Sequence, residues 1–153
     1  MDRIIDPKTC CQVSLVARDI EKTAKLYAEL FGVPVPEIMR IPPVAEAQTV
    51  YRGKPSDTQA RMCVFDMGQV CLEIMEPDEF DSSWKEALGD KDVAFHHIGF
   101  VIEDLEKTMD YFTKQGCPER HRGHYPVGNT YILPDSIEKY GILFNLKYEP
   151  GNS

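Results

Sequence analysis

One phrase of sequence occurs twice in this chain, and that duplication constrains the fold more than any other feature. Residues 12–31 read QVSLVARDIEKTAKLYAELF and residues 97–112 read HIGFVIEDLEKTMDYF, with the run Glu-Lys-Thr at the same place in both. The copies align at a constant offset of 85 residues, which places Gln12 over His97. A repeat of this kind indicates two copies of one supersecondary unit.

Each copy predicts a strand, a capped helix and a glycine stop. Asp19 and Asp104 are suited to cap the helices, because their carboxylates can accept hydrogen bonds from the free amides of the first turn. Apolar residues follow at helical spacing, and a glycine ends each run. The predicted elements are strands at 12–17 and 97–102, helices at 20–31 and 105–115, and stops at Gly32 and Gly116.

Further strands are predicted after each helix. In the first half, RMCVFDM (61–67) and QVCLEIM (69–75) form a hairpin, and in the second, NTYILPD and GILFNLKYE flank a longer connection,. Five prolines in the segment 33–60 predict a broken strand and a covering loop,. Between the halves, DSSWKEAL predicts a short helix that starts with a capping box of Ser83 and Glu86,.

Composition and charge exclude several kinds of partner. The formal net charge of −8 argues against nucleic acid and against anionic membranes, because both repel an acidic surface,. The N-terminus lacks the layout of a signal peptide, and no apolar run approaches the length that spans a bilayer,. Five cysteines without a CxxC motif favour a reduced, cytoplasmic protein,.

The second-half opening HHIGFVIEDLEKTMDYF resembles the vicinal oxygen chelate superfamily, and within it the methylmalonyl-CoA epimerase-like branch. The segments VCLEIMEPDEFDSSWKEAL, GHYPVGNTYILPD and GILFNLKYEP extend the resemblance over roughly residues 10–150. It implies an α+β fold of two tandem βαβββ modules that form a curved, largely antiparallel, U-shaped sheet. The expected single domain, 1–153, has modules at about 8–76 and 95–149 and a linker at about 77–94. A homodimer is also expected.

The resemblance also implies a set of site residues. The family's ligand positions fall on Gln12, Glu73, His97 and Asn145, where histidine is usual at the first position and glutamate at the last. With two amides in the set, two readings stay open. Either the site holds Zn²⁺, Co²⁺ or Ni²⁺ weakly, or no metal is required and the same residues serve as hydrogen-bonding groups.

The residues themselves support some of these positions. Glu73 alternates with Cys71 and Met75 on one strand face, so it is expected to point into an apolar site,. His97 is expected on the inward face of its strand, and His96 on the opposite face as a structural residue. His124 and Tyr125 are placed in a loop that either borders the pocket or forms a surface turn. The basic run 120–122 is expected to be solvated surface, or else a site for an anionic tail,.

Proton abstraction next to a carbonyl suits such a pocket. Glu73 is the predicted base, and His97 or His124 the second acid that racemisation requires. Gln12, Asn145 and Tyr125 are the predicted substrate-binding residues. The substrate is a small carbonyl compound, either a neutral aryl ketone such as an isoflavanone or a CoA thioester such as methylmalonyl-CoA. The alternatives are a glyoxalase-like, metal-dependent lyase and a non-catalytic, resistance-type binding protein.

Overall fold

The computed structural model describes residues 2–126 and 128–152, which form one ten-stranded sheet with five α-helices. The strands are β1 Cys10–Ala17, β2 Met39–Arg40, β3 Val50–Tyr51, β4 Lys54–Pro55, β5 Arg61–Asp66, β6 Cys71–Glu76, β7 Val93–Ile102, β8 Glu119–Tyr125, β9 Asn129–Pro134 and β10 Phe144–Tyr148. The helices are α1 Ile20–Phe31, α2 Val44–Ala47, α3 Ser83–Leu88, α4 Leu105–Lys114 and α5 Ile137–Tyr140. The predicted α+β fold is confirmed.

The two long helices begin where the repeat predicts. Asp19 accepts a hydrogen bond from the backbone N–H of Lys22 at 3.0 Å, and Asp104 accepts one from that of Lys107 at 2.9 Å. Helix α1 ends at Gly32, whose φ of 66° lies in the left-handed region that glycine tolerates best,. Helix α4 ends one residue earlier than predicted.

The strand order repeats in the two halves of the chain. It reads β2-β5-β6-β1-β7-β10-β9-β8-β3-β4, so that β1 pairs with β6 and β7 pairs with β10, both in parallel. Strands β1 and β7 run antiparallel to each other at the seam between the halves. There Gln12 lies opposite Gly99, and Ser14 lies opposite His97. The two equivalent positions of the repeat, Gln12 and His97, therefore meet at the seam.

The proline-rich segment 33–60 is broken into short pieces, as predicted. Strand β2 pairs with β5 in its own half. The hairpin of β3 and β4 crosses over and pairs with β8, with Val50 opposite Arg122. A segment from the first half thus extends the sheet of the second half.

Strand β8 corrects two expectations. Residues 119–125 pair with β9, whereas the sequence predicted a solvated basic cluster followed by a loop. Arg120 and His121 are only 7% and 0% exposed. The Arg120 guanidinium is paired with Glu86 at 3.0 Å and with Asp135 at 3.3 Å, which is what allows a cation to be buried,. These two residues therefore do not form an open site for an anionic tail.

The N-cap of helix α3 lies one residue before the predicted cap, Ser83. It is Ser82, whose hydroxyl accepts a hydrogen bond from the backbone N–H of Lys85 at 3.0 Å. Ser83 is consequently the first helical residue. Because its hydroxyl does not cap the helix, it can form hydrogen bonds with two buried histidine rings, His96 and His121.

A bilayer-spanning helix is not found among residues 2–126 and 128–152, since none of their helices combines sufficient length with sufficient hydropathy.

Candidate active site

Four polar side chains that the sequence assigned to one site converge at the seam. Gln12, Glu73, His97 and Asn145 come from β1, β6, β7 and β10, which are consecutive strands in the middle of the sheet. All four are buried, with exposed fractions between 1% and 8%. The structure therefore brings the whole predicted set together.

Glu73 is held from both sides by hydrogen-bond donors. Nε2 of Gln12 donates to Oε2 of Glu73 at 3.0 Å, and the hydroxyl of Ser14 donates to Oε1 at 2.9 Å. Burial raises the pKa of the Glu73 carboxyl, while the positive charge of Lys147 and the two donors act in the opposite direction,. The result is an oriented carboxylate that is more basic than an exposed one.

His97 lies among the three other side chains of the set. Its Nε2 is 2.7 Å from Oε1 of Gln12, 3.1 Å from Nδ2 of Asn145 and 4.0 Å from Oε1 of Glu73. Burial is the main cause that lowers the pKa of His97 well below its usual value, so the ring is neutral,. Gly99 makes room for the Gln12 side chain, because a Cβ there would lie 2.9 Å from Cβ of Gln12. Oδ1 of Asn145 finds no hydrogen-bond partner among the described residues, so it is available to a ligand.

A cavity of about 400 Å³ opens beside this set. That volume is within the usual range for small-molecule sites. Most of the wall is apolar, and Glu73, His97 and Asn145 supply polar groups at it. The residues that line the cavity include Met39, Met62, Glu73, Met75, Trp84, His97, His124, Tyr125, Tyr131, Asn145 and Lys147.

The residues at the C-terminal end of β8 border the cavity. His124 and Tyr125 both line it, which decides between the pocket border and the surface turn that the sequence left open. Nδ1 of His124 lies 2.9 Å from the Thr130 hydroxyl, and the Tyr125 hydroxyl donates to Glu149 at 2.7 Å. These contacts give both side chains a defined position.

Four polar lining residues were missed by sequence reasoning, namely Arg40, Glu46, Tyr131 and Lys147. Lys147 lies two positions after Asn145, so strand alternation places it on the same face and could have identified it. Tyr131 lies within the predicted strand NTYILPD, but its neighbours in sequence carry no mark of a site. The ammonium of Lys147 lies 5.3 Å from the centre of the Tyr125 ring.

The expected position of His96 was wrong. Ser14 pairs with His97 and Leu15 pairs with Phe95, so His96 is an extra residue at a β-bulge,. The bulge turns the His96 ring toward His97, with Nδ1 atoms 2.7 Å apart. Simple alternation assumes no inserted residue and therefore placed this ring on the other face.

A family model for the Glyoxalase/Bleomycin resistance protein/Dioxygenase superfamily matches residues 11–132. The chain belongs to this superfamily. Its membership confirms the resemblance to the vicinal oxygen chelate proteins that the sequence indicated. No functionally curated protein matches the chain significantly.

Several solved structures share the fold of this chain at low sequence identity. A variant of the Streptomyces coelicolor methylmalonyl-CoA epimerase in complex with 2-nitronate-propionyl-CoA is 16% identical, with a TM-score of 0.61 over 92% of this chain and 96% of that one. The methylmalonyl-CoA epimerase from Mycobacterium tuberculosis is 12% identical, with a TM-score of 0.63 over 97% and 92%. A hypothetical protein from Bacillus halodurans is 11% identical, with a TM-score of 0.64 over 91% and 92%.

Members of the superfamily often use a divalent metal, and the donor atoms present here test whether this chain can. Across residues 2–126 and 128–152, no three His, Cys, Asp or Glu side chains group so as to hold a metal ion. Glu73 and His97 are strong donors, but the amides of Gln12 and Asn145 bring no charge. The Gln12 amide also bonds the carboxylate and lies against the ring, so these groups satisfy one another. The set does not fit a tight divalent site.

Proposed function

We propose that this protein is a racemase or epimerase, which removes a proton next to the carbonyl group of a small substrate and returns one to the opposite face. The observation that carries the proposal is Glu73, a buried carboxylate at the wall of an apolar cavity. Burying a carboxylate is costly, and a raised pKa at a cavity wall is typical of a functional group,.

Glu73 is suited to act as the general base. Its raised pKa strengthens it as a proton acceptor,. Ser14 and Gln12 fix both oxygens by hydrogen bonds of 2.9 and 3.0 Å, so little reorganisation is needed before proton transfer,.

The enolate that forms needs donors near its oxygen. Asn145 and Lys147 line the same cavity, and the ammonium of Lys147 can serve as such a donor,. His97 and His124 also line it, and they are the candidates that the sequence offers for the second acid. Because His97 is neutral, it can carry a proton only if its second ring nitrogen exchanges one with a partner,.

The apolar part of the lining supports a neutral aryl ketone such as an isoflavanone as the first substrate candidate, while Arg40 and Lys147 in the same lining suit an anionic one. The methionines Met39, Met62 and Met75 and the indole of Trp84 offer apolar, adaptable contacts to a flat aromatic compound,. Arg120, which belongs to the expected anchor for an anionic tail, is instead buried and paired. A CoA thioester is the second candidate, because one solved neighbour is described in complex with methylmalonyl-CoA.

Two other classes compete with an isomerase. A glyoxalase-like lyase would need a metal for which the donor set is poor. A resistance-type binding protein would need the cavity but no base, and the oriented Glu73 is the observation against it.

Deuterium uptake at the α-carbon in D₂O tests the proposal. An enantiopure isoflavanone and enantiopure methylmalonyl-CoA are each incubated with the protein, and uptake and inversion are followed by mass spectrometry and chiral chromatography. Uptake with inversion of either compound supports an isomerase and identifies its substrate class. Binding of the ketone without uptake, seen by fluorescence of the single tryptophan Trp84, would identify a binding protein instead.

Activity is expected to survive removal of metal. Protein treated with EDTA should keep most of its turnover, and metal analysis should find less than one equivalent per chain, because the amides of Gln12 and Asn145 replace stronger ligands. Full occupancy by zinc, cobalt or nickel, with activity lost on chelation and restored by metal, would contradict this. The ligands would then be Gln12, Glu73, His97 and Asn145.

Replacing Lys147 by methionine is expected to lower kcat/KM roughly 10²-fold, as for other groups that stabilise an oxyanion. The positive charge of Lys147 lowers the pKa of Glu73, so its removal should also move the acid limb of the pH–rate profile to higher pH. The exposed Lys25→Met is the matched control. An unchanged acid limb in Lys147→Met would show that this ammonium does not act on the base.

The homodimer and the cytoplasmic location stay predictions from the sequence.

A further inference from the structure

A chain of buried hydrogen bonds leaves the cavity at His97 and returns to it at Tyr131. Nδ1 of His97 lies 2.7 Å from Nδ1 of His96, whose Nε2 lies 3.1 Å from the Ser83 hydroxyl. That hydroxyl lies 2.6 Å from Nδ1 of His121, and Nε2 of His121 lies 3.1 Å from the Tyr131 hydroxyl. We call these five residues the relay.

The ends of the relay line the cavity, while its middle does not. His97 and Tyr131 are lining residues. The middle members are His96, Ser83 and His121, which are 3%, 1% and 0% exposed. Glu73 is on β6 and Tyr131 on β9, which lie on opposite sides of the seam in the strand order. A substrate held between these two strands can meet Glu73 on one face and Tyr131 on the other.

Register shifts in strands β7 and β8 bring the side chains of the relay together. The bulge at His96 turns its ring toward the next residue, and a second register shift occurs between Glu119 and His121 on β8,. Tyr131 lies opposite Gly123, and a Cβ at position 123 would lie 2.6 Å from Cζ of the tyrosine ring. The glycine therefore leaves space for the Tyr131 ring, whose hydroxyl bonds to His121.

The relay can be protonated in two ways without carrying a net charge. A neutral imidazole donates with one nitrogen and accepts with the other. All donors can point toward Tyr131, an arrangement in which Nδ1 of His121 also accepts from the backbone N–H of Ser83 at 3.3 Å. Alternatively all can point toward His97, and that backbone contact is then lost. Partners exist at the His97 end for both arrangements, since Nδ2 of Asn145 can donate to its Nε2 at 3.1 Å and Oε1 of Gln12 can accept from it at 2.7 Å.

The surroundings keep the three rings neutral. Burial lowers the pKa of His96 and of His121 to about 3, with a further contribution from the cation of Arg120,. Burial also raises the pKa of the Tyr131 hydroxyl, so it remains protonated at neutral pH and can serve as an acid. A neutral chain can pass a proton along without forming an isolated buried charge.

We propose that the relay carries a proton from the Glu73 side of the substrate to Tyr131, the catalytic acid on the opposite face; this rests on the proposed isomerase function. Glu73 takes the α-proton, and the electrons of the broken C–H bond form the enolate. Glu73 then passes the proton to Nε2 of His97; the 4.0 Å between Oε1 and Nε2 is longer than a hydrogen bond, so the protonated carboxyl must first turn toward the ring,. Each member of the relay hands one proton on, and Tyr131 gives its hydroxyl proton to the α-carbon as it receives one from His121.

The exchange balances in atoms and charge. One C–H bond breaks and another forms on the opposite face, Glu73 ends as a carboxylate, and every member of the relay ends neutral. The donors now point the other way along the chain. Reaction of the opposite enantiomer runs the same steps in reverse and restores the starting arrangement.

Ser83→Ala tests the relay, because it breaks the middle of the chain without touching the cavity. The α-deuterium uptake with retention should persist, since Glu73 can remove and return a proton on its own face. Inversion should fall at least ~10²-fold relative to uptake, the usual scale for losing a positioned acid. Tyr131→Phe should behave in the same way, and Ser83→Thr, which keeps the hydroxyl, should restore inversion. Ser136→Ala, at another buried serine that bonds only outside the relay, is the matched control.

The ratio of inversion to deuterium uptake distinguishes a loss of the relay from a general structural effect of the substitution. A structural effect of Ser83→Ala would lower both rates together, and an unchanged ratio in both Ser83→Ala and Tyr131→Phe would overturn the relay. Wild-type protein that neither exchanges nor inverts the isoflavanone or the thioester would overturn the isomerase function instead.

Histidine ¹⁵N NMR tests the relay without substrate. Tyr131→Phe removes the donor and acceptor at the far end, so it should shift the tautomer balance of the His97 ring in the wild-type background. The same substitution in Ser83→Ala protein should leave His97 unchanged. A His97 tautomer balance that is identical in wild type and Tyr131→Phe would overturn the relay, whatever the substrate proves to be.

Discussion

Replacing Glu73 by glutamine is expected to lower turnover by ~10²–10⁴-fold while making the protein more stable at neutral pH. The activity falls because an amide cannot accept the α-proton, and the loss of a general base usually has this magnitude. Uptake of α-deuterium should be lost together with inversion, in contrast to Ser83→Ala. Both rates are measured in D₂O on the same enantiopure compound.

The gain in stability follows from the direction of the pKa shift. Burial raises the pKa of Glu73 in the folded protein, so its stabilising contribution is complete below the unfolded value of about 4.5 and is lost as pH rises through the folded pKa,. Glutamine does not ionise, so its contribution to stability does not change with pH. The melting temperature of Glu73→Gln relative to wild type should therefore rise between pH 4.5 and pH 8.

Glu79→Gln is the matched control, since it makes the same chemical change at an exposed position outside the cavity. It should leave turnover as it is and show no comparable rise in melting temperature. Near-wild-type turnover in Glu73→Gln would move the base elsewhere, with His124 and Tyr131 as the next lining residues to replace.

Much of the fold is local in origin and was therefore predictable. The caps at Asp19 and Asp104 act within three residues, so their spacing alone places the two long helices,. The constant offset between Gln12 and His97 predicts that they occupy equivalent positions, and the antiparallel seam brings them together. Glu73 and Asn145 follow because strand alternation and the family resemblance point to the same positions.

The unpredicted features depend on inserted residues and on distant contacts. A bulge adds one residue to a strand and reverses the alternation beyond it, which is why His96 was placed on the wrong face,. The burial of Arg120 depends on partners at Glu86 and Asp135, from two other segments of the chain. Neither effect leaves a pattern in the local sequence.

Loss of stability in mild acid is the second large effect expected. Burial is the main cause of a lowered pKa at each of the three relay histidines, His96, His97 and His121. In the unfolded chain the three imidazoles become protonated near the usual histidine pKa of 6.5. In the folded protein the pKa of His96 and of His121 is about 3, so these two rings stay neutral until the pH is much lower. Their contribution to stability is therefore present above pH 6.5 and is lost as pH falls below it.

The magnitude follows from the number of protons. Each proton bound by the unfolded chain alone costs about 1.4 kcal/mol per pH unit, so three histidines together cost about 4 kcal/mol per unit. Domains of this size are usually stable by only about 5–15 kcal/mol. Glu73 acts in the opposite direction because its pKa is raised, but as one group it offsets at most one of the three protons.

Urea unfolding at pH 7.5, 6.0 and 5.0, followed by circular dichroism, measures this slope. His121→Gln removes one of the three groups, so the slope should fall by about 1.4 kcal/mol per pH unit even though the variant loses hydrogen bonds to Ser83 and Tyr131,. Ser136→Ala alters a buried hydroxyl without removing a titratable group, so it should lower stability by the same amount at every pH. A wild-type stability that stays flat between pH 7.5 and 5.0 would mean that the relay histidines take up protons in the folded protein. A neutral relay could not then exist in that range, because a doubly protonated imidazole donates from both nitrogens and breaks the chain of donors and acceptors.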